Sequence, residues 1–306
     1  MLKCIKDLFK IQYHNHMKRR DFVKNTGLLT AGAFAMGHTG LAANILKDKT
    51  INPFGVQLYS VRDVLPKDPK GVMGQLAAMG YKQFESYSGK EGFLWGLSPK
   101  EMKTFLGDIG VDMVSTHFNY MGVADKPDKL KKNIEMAEGA GLKYLLSPYI
   151  GAQKSWDDWK RIVETLNKVG EEVNKAGLKF GYHNHDYSFK PLEGKLPQEY
   201  LLEHTDPNHV MFELDLCWID VAGVDTAAHL KKYGNRYELC HVKDYNIENG
   251  KPVQCDLGKG SVDMKNTLKS ALKSSIKYFM VEQEEYPVSS LESLKHDAAY
   301  MKALKV

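Results

Sequence analysis

From residue 50 onward, short apolar runs alternate with amphipathic segments. Phe54–Ser60 is the first run, and Val72, Met73, Leu76 and Met79 then recur at helical spacing before Gly80. Tyr81–Glu85 predicts a second strand. Ser98-Pro99-Lys100-Glu101 reads as a capping box with proline at the first helical position, opening a helix through Met102, Phe105, Leu106 and Ile109. Val111–His117 and Leu142–Pro148 predict strands, with a helix between them marked by Leu130, Ile134 and Ala137. Ser155 caps a long helix carrying Trp159, Ile162, Val163, Leu166, Val169 and Val173.

The fifth run, Phe180-Gly-Tyr-His-Asn-His-Asp186, ends abruptly in metal-capable side chains. A short helix around Glu199–His204 leads to a strand at Val210–Asp215. A helix from about Asp225 to Tyr233 precedes a strand at Tyr237–Val242. A long loop ending in Leu257-Gly-Lys-Gly260 then leads to a helix through Met264, Leu268 and Leu272. Tyr278–Glu282 is the eighth strand, and a last helix carries Leu291, Leu294, Ala298 and Met301. Strict alternation implies a parallel sheet, and eight repeats predict an α/β fold of one domain, a closed (β/α)8 TIM barrel. An open doubly wound sheet would want a glycine-rich turn after its first strand, and Tyr59-Ser60-Val61-Arg62-Asp63 offers none.

In such a barrel all C-terminal strand ends meet at one face. Those ends carry Gln57 and Tyr59, Glu85, His117, Pro148, His183 with His185, Asp215, His241 with Lys243, and Glu282. A lone histidine ending an apolar strand is usually a hydrogen-bonded core residue. Metal-capable residues at four successive strand ends reverse that expectation: His183, Asp215, His241 and Glu282 are expected to hold one divalent metal. Two imidazoles and two carboxylates suit Mn²⁺, Co²⁺, Fe²⁺ or Zn²⁺. Its task would be to polarise a carbonyl and an adjacent hydroxyl and stabilise an enediolate. His185 and Lys243 are expected to act as proton donors or substrate clamps, with Gln57, Tyr59, Glu85 and His117 binding substrate. For Lys243 followed by Asp244, the alternative is an exposed ion pair.

Charge changes the picture at one end of the chain. The 306 residues carry a net charge of +4, with 43% hydrophobic and 26% charged residues. Residues 1–44 hold seven basic and two acidic side chains, leaving 35 basic against 36 acidic beyond them. A near-neutral body gives no support to a nucleic-acid partner. Lys18-Arg19-Arg20-Asp21-Phe22-Val23-Lys24 precedes a weakly apolar stretch, Gly27–Ala43, ending in the small residues Ala42 and Ala43. This is a signal-peptide pattern whose paired arginines resemble the twin-arginine export motif, implying a folded, exported, periplasmic enzyme handed to the export machinery. Met17 is an alternative start. Glycines and His38 make the stretch a poor permanent membrane anchor. Cys217, Cys240 and Cys255 lack close spacing, and they read as buried small residues rather than a disulfide framework or a thiolate site.

Six stretches together carry a resemblance. They are Gly55–Asp63, Tyr182–Asp186, Glu213-Leu-Asp-Leu-Cys-Trp218, His241-Val-Lys-Asp244, Leu257-Gly-Lys-Gly260 and Val281-Glu-Gln283. In this order and spacing the chain resembles the sugar phosphate isomerase/epimerase family of xylose isomerase-like TIM barrels across residues 52–306. The resemblance implies metal ligands Glu, Asp, His and Glu from strands five to eight, matched directly at Asp215, His241 and Glu282. It also implies an acid–base role for Glu282 on a carbohydrate substrate, by proton abstraction α to a sugar carbonyl that leads to isomerisation or epimerisation.

His183 stands where the family more often has glutamate, which puts two-base epimerisation in doubt. The histidine-rich strand end is similar to inosose dehydratase-like members, so the alternative is dehydration or lysis of inososes or 3-oxo-glycosides. The fold is also shared with abasic-site endonucleases, but their second-metal histidine falls at Trp218, and the segment Asp244–Asp263 contains no histidine. Trp218 is expected instead to stack on a sugar face, the alternative being a buried core indole. A non-catalytic periplasmic sugar binder remains a third class, although binding alone needs no complete ligand set.

Overall fold

The computed structural model describes residues 50–306, so the signal-like segment lies outside the described residues. The barrel strands are Gly55–Gln57 (β1), Gln83–Tyr87 (β2), Asp112–His117 (β3), Tyr144–Ser147 (β4), Lys179–His183 (β5), Val210–Asp215 (β6) and Tyr237–Val242 (β7). A hairpin, Asp244–Glu248 (β8) and Lys251–Cys255 (β9), precedes the last barrel strand, Tyr278–Val281 (β10). β1 pairs in parallel with both β2 and β10, which closes the sheet as the eight-stranded parallel barrel the alternation predicts.

The crossovers are the helices Pro69–Met79 (α1), Pro99–Ile109 (α2), Pro127–Ala140 (α3), Trp156–Lys175 (α4) and Pro197–His204 (α5). They continue as Leu216–Val221 (α6), Thr226–Tyr233 (α7) and Met264–Ala271 (α8), and Ser290–Ala303 (α9) follows the last strand. Proline opens α1, α2, α3 and α5, where its missing N–H costs nothing. The capping boxes at Ser98 and Ser155 form as expected. Among the described residues, no helix is long and apolar enough to cross a membrane.

Side chains two apart on a strand share a face, so each strand feeds the barrel interior in steps. The lowest step is apolar: Val114, Tyr144, Leu146, Met211, Leu239 and Met280 form one buried cluster. The next steps are polar, holding Gln57, Glu85, Ser115, His117, His183, Glu213, Asp215 and His241, all buried. The larger apolar core lies between the outer strand faces and the helices.

Three expectations are corrected. The segment after Asp244 is no plain loop, because β8 and β9 pair antiparallel around Asn249-Gly250, both at positive φ. An Asn-Gly pair flanked by alternating residues is a strong hairpin signal. The pattern predicts no element between Asp215 and Asp225, yet Asp215 caps α6 directly, and Cys217 sits in that helix. β2 lies two residues later than Tyr81–Glu85 suggested, which frees Tyr81 to donate from its hydroxyl to Leu294 O in α9.

Candidate metal centre and its pocket

β6 sets the geometry by its alternation, placing Met211, Glu213 and Asp215 on one face. Asp215 Oδ1 accepts from the backbone N–H groups of Cys217 and Trp218, both at 3.0 Å, and the Asn184 side chain accepts from Asp215 N. One carboxylate oxygen thus fixes the strand-to-helix turn while Oδ2 is left facing the barrel axis. On β5, a Cβ at Gly181 would lie 2.2 Å from Met211 Sδ, so glycine is what lets Met211 fill the floor below His183.

Two overlapping groups bring ligand atoms within 4.8 Å of one another: His183, Asp215, His241 and Glu282, and His117, His183, Glu213 and His241. The rings distinguish them. His183 faces Asp215 Oδ2 with Nε2, at 3.6 Å, and Glu213 Oε2 with Nδ1, at 3.4 Å. His241 faces Glu282 Oε2 with Nδ1 at 2.7 Å, while its Nε2 lies 2.7 Å from Glu85 Oε1 and 3.2 Å from Glu213 Oε2. A metal-bound imidazole characteristically ligates with one nitrogen and donates from the other to a carboxylate. Glu85 is already engaged from below, accepting from Gln57 Nε2 at 2.7 Å and Ser115 Oγ at 2.6 Å. Glu85 and Glu213 therefore fit as the acceptors that orient the rings, with His183 Nε2, His241 Nδ1, Asp215 Oδ2 and Glu282 Oε2 pointing at a common space. The last three atoms are buried, and close as they are, none makes a well-directed hydrogen bond. The donor set thus fits a divalent cation.

Electrostatics agree. Burial alone would raise the Glu85 carboxyl, but His117 and His241 beside it hold it far below the usual range. Burial and the charge of Glu85 would raise Glu213, yet the surrounding histidines bring it down to about 2. Against the pull of burial, these carboxylates push His117 up to about 9. His183 goes the other way, depressed by burial and by its neighbour His241. Carboxylates outnumber permanent cations here. The one lysine, Lys243, is 1% exposed and lies 2.5 Å from Glu282 Oε2, 3.0 Å from Asp215 Oδ2 and 3.1 Å from Glu284 Oε1.

Above this centre opens a cavity of about 350 Å³. Tyr59, His117, His183, His185, Lys243 and Glu282 from the sequence reading all line it. Gln57 and Glu85 do not: both are wholly buried beneath the histidines, where Glu85 meets the His241 ring and Gln57 donates to Glu85. Trp218 stands behind His185, with ring centroids 6.2 Å apart, and Lys243 Nζ is 5.7 Å from the indole centroid. It is off the cavity wall. The alternative of an exposed Lys243–Asp244 pair fails, since both are buried and their partners differ. Sequence reasoning missed Glu213, although its position two residues before Asp215 puts it on the same strand face. It also missed Glu284, Tyr87 and Tyr149 on the wall. Tyr149 and Glu284 sit on loops beyond the strand ends, where no periodicity points inward.

Residues 73–304 match the family model described as "Xylose isomerase-like TIM barrel". The inosose dehydratase of Geobacillus kaustophilus is 24% identical over 229 residues, 64% of this chain and 71% of that one. Other inosose dehydratases match over about half their length or less. A sugar phosphate isomerase/epimerase from Parabacteroides distasonis superposes with a TM-score of 0.69 at 28% identity, covering 82% of this chain and 93% of that one. The IOLI protein, solved with a bound zinc atom, shares the fold with a TM-score of 0.64 at 14% identity, covering 82% and 96%.

Proposed function

This chain belongs to the xylose isomerase-like TIM barrel family, and from that premise we propose that it is a divalent-metal-dependent enzyme removing a proton α to the carbonyl of a sugar or cyclic polyol. The carrying observation is the convergence of His183, Asp215, His241 and Glu282 below a cavity whose wall also bears His185 and Lys243. A cation bound there would polarise the carbonyl and stabilise charge developing on its oxygen. His185 is half-buried on the wall, its Nδ1 has no partner, and burial followed by the charge of Lys243 depresses it to about 4. It is a neutral imidazole, free to take the α-proton. Lys243 is kept protonated by the three carboxylates around it, burial notwithstanding, and it donates to the oxygen that gains charge or departs.

Elimination fits this pairing best. His185 takes the α-proton, the bond to the β-oxygen breaks, and the leaving oxygen acquires a proton from Lys243. The inosose dehydratase relatives support this reading, and so does His183, a ring ligand where two-base epimerisation would want a carboxylate. Isomerisation or epimerisation is the second reading, favoured by the Parabacteroides distasonis neighbour.

Proton NMR in D₂O with ketoses, inososes and 3-oxo-glycosides tests both. Solvent deuterium is expected next to the carbonyl, followed by an unsaturated product, and chelation should stop exchange. A product differing only in configuration or carbonyl position would select the second reading. His185→Gln should lower kcat by about 10²-fold or more while KM changes little. Exchange that survives complete metal removal would overturn the proposal.

A further inference from the structure

Charge in and beside the pocket restricts what it can admit. TIM barrels commonly take phosphate groups with the loops after their seventh and eighth strands, where successive backbone N–H groups form an anion nest. The loop after β7 has such an array here, and the chain has filled it with its own carboxylate. Asp244 Oδ2 accepts from Gly258 N at 2.9 Å and Gly260 N at 3.0 Å. Its Oδ1 accepts from Tyr245 N at 2.9 Å and Val262 N at 3.1 Å. A Cβ at residue 260 would lie 2.2 Å from Asp244 Oδ1, so glycine is required for the carboxylate to enter. A nest occupied in this way has no room for a phosphate.

The wall offers no substitute. Among the described residues, Lys243 is the only lysine or arginine lining the cavity, and Glu282, Asp215 and Glu284 already surround its ammonium. The guanidinium of Arg62, beside Tyr59, is committed to Tyr286 Oη, Glu284 O and Tyr59 O. His117 on the wall is spent on Glu85 and Glu213 at 3.0 and 2.9 Å, and beyond the histidines and carboxylates the wall consists of the aromatic faces of Tyr59, Tyr87, Phe118 and Tyr149, with Ser88 and Asn119 as hydrogen-bonding groups. Flat rings with a few amide and hydroxyl groups suit the C–H faces and hydroxyls of a sugar ring.

We infer that the site takes an uncharged cyclic keto-sugar or keto-polyol and rejects its phosphate monoester. A dianion seated against Tyr59 and Tyr149 would lie beside the Glu284 carboxylate, and among the described residues no lysine or arginine of the wall is left unpaired to meet it. The inference rests on the proton-abstraction reading above, and its test separates the two.

The metal-loaded protein is titrated calorimetrically with neutral ketoses, inososes and 3-oxo-glycosides and with phosphate monoesters of the same compounds, and D₂O exchange is followed on each. Neutral members are expected to bind at least tenfold more tightly than their esters and to be the ones that exchange. Glu284→Gln should narrow that gap at least threefold, and a gap that does not move would overturn the electrostatic basis. Esters that bind and exchange as well as neutral members overturn the inference while leaving proton abstraction standing. Neutral members that bind tightly without exchange support the inference and overturn proton abstraction. If neutral members neither bind nor exchange, both fall.

Discussion

Glu213 and Glu85 do for His117 and His241 what the apolar core does for the strands: they fix how the rings face. Their carboxylates lie 3.2 Å and 2.7 Å from His241 Nε2, and Glu213 lies 2.9 Å from His117 Nε2. Removing a ligand and removing an orienting group should therefore differ in kind. Asp215→Ala and Glu282→Ala are expected to abolish metal retention, read as metal content after gel filtration. Glu213→Gln keeps all four ligands, and its metal affinity, measured by chelator competition, should drop about 10- to 100-fold. Full metal content in both alanine variants would remove the ligand assignment. Unchanged affinity in Glu213→Gln would make it a mere packing residue.

At the scale of elements, one residue gathers much of the bonding between the hairpin β8–β9 and the loop behind it. Asp244 gathers four backbone N–H groups, and α9 backs the same loop through Asp297 Oδ1, which accepts from Leu257 N at 2.8 Å, and His296, whose Nε2 is 3.1 Å from Leu257 O. Asp244→Ala would leave the buried N–H groups of Tyr245 and Val262 unpaired. With about 1–3 kcal/mol lost per buried unsatisfied group, the expected destabilisation is roughly 2–6 kcal/mol by urea unfolding. Amide exchange at Gly258, Gly260 and Val262 should rise with it. A loss below about 1 kcal/mol would mean that this loop is held by something else.

Across the whole molecule, charge is sorted by the barrel: an apolar layer closes the bottom, and ionisable groups collect above it. Asp297 breaks that order, since it is 1% exposed in α9 and Oδ2 has no partner. Burial, reinforced by Asp256 and Asp244 and opposed by its bond from Leu257 N, pushes its carboxyl up to about 8. An unfolded aspartate titrates near about 3.9, so between those values the folded state holds a proton that the unfolded state has lost. This group's contribution is complete below about pH 4 and is lost as pH rises toward 8, at up to about 1.4 kcal/mol per pH unit. Asp297→Asn keeps the acceptor for Leu257 N and removes the titration. The stability of the native protein minus that of the variant should therefore fall as pH rises from 5 to 8. A difference independent of pH would show that Asp297 is ionised throughout.

Legibility followed physical range. Period-two and period-3.6 patterning, with capping boxes and prolines, is local, and it carried the eight strands, the crossover helices and the closed barrel. Because barrel closure sends every C-terminal strand end to one face, the sequence alone is enough to expect His183, Asp215, His241 and Glu282 together. The hairpin was also legible, in Asn249-Gly250, as was Glu213 by its spacing from Asp215. Other features depended on which atoms meet across the barrel. Nothing local says that Gln57 and Glu85 lie under the histidines, or which ring nitrogen faces which carboxylate. Nothing local says that Asp244 fills a nest three of whose four N–H groups come from residues 14 to 18 positions away. Those follow from strand tilt and register, which place residues distant in the chain within hydrogen-bonding distance, and only the tertiary structure decides them.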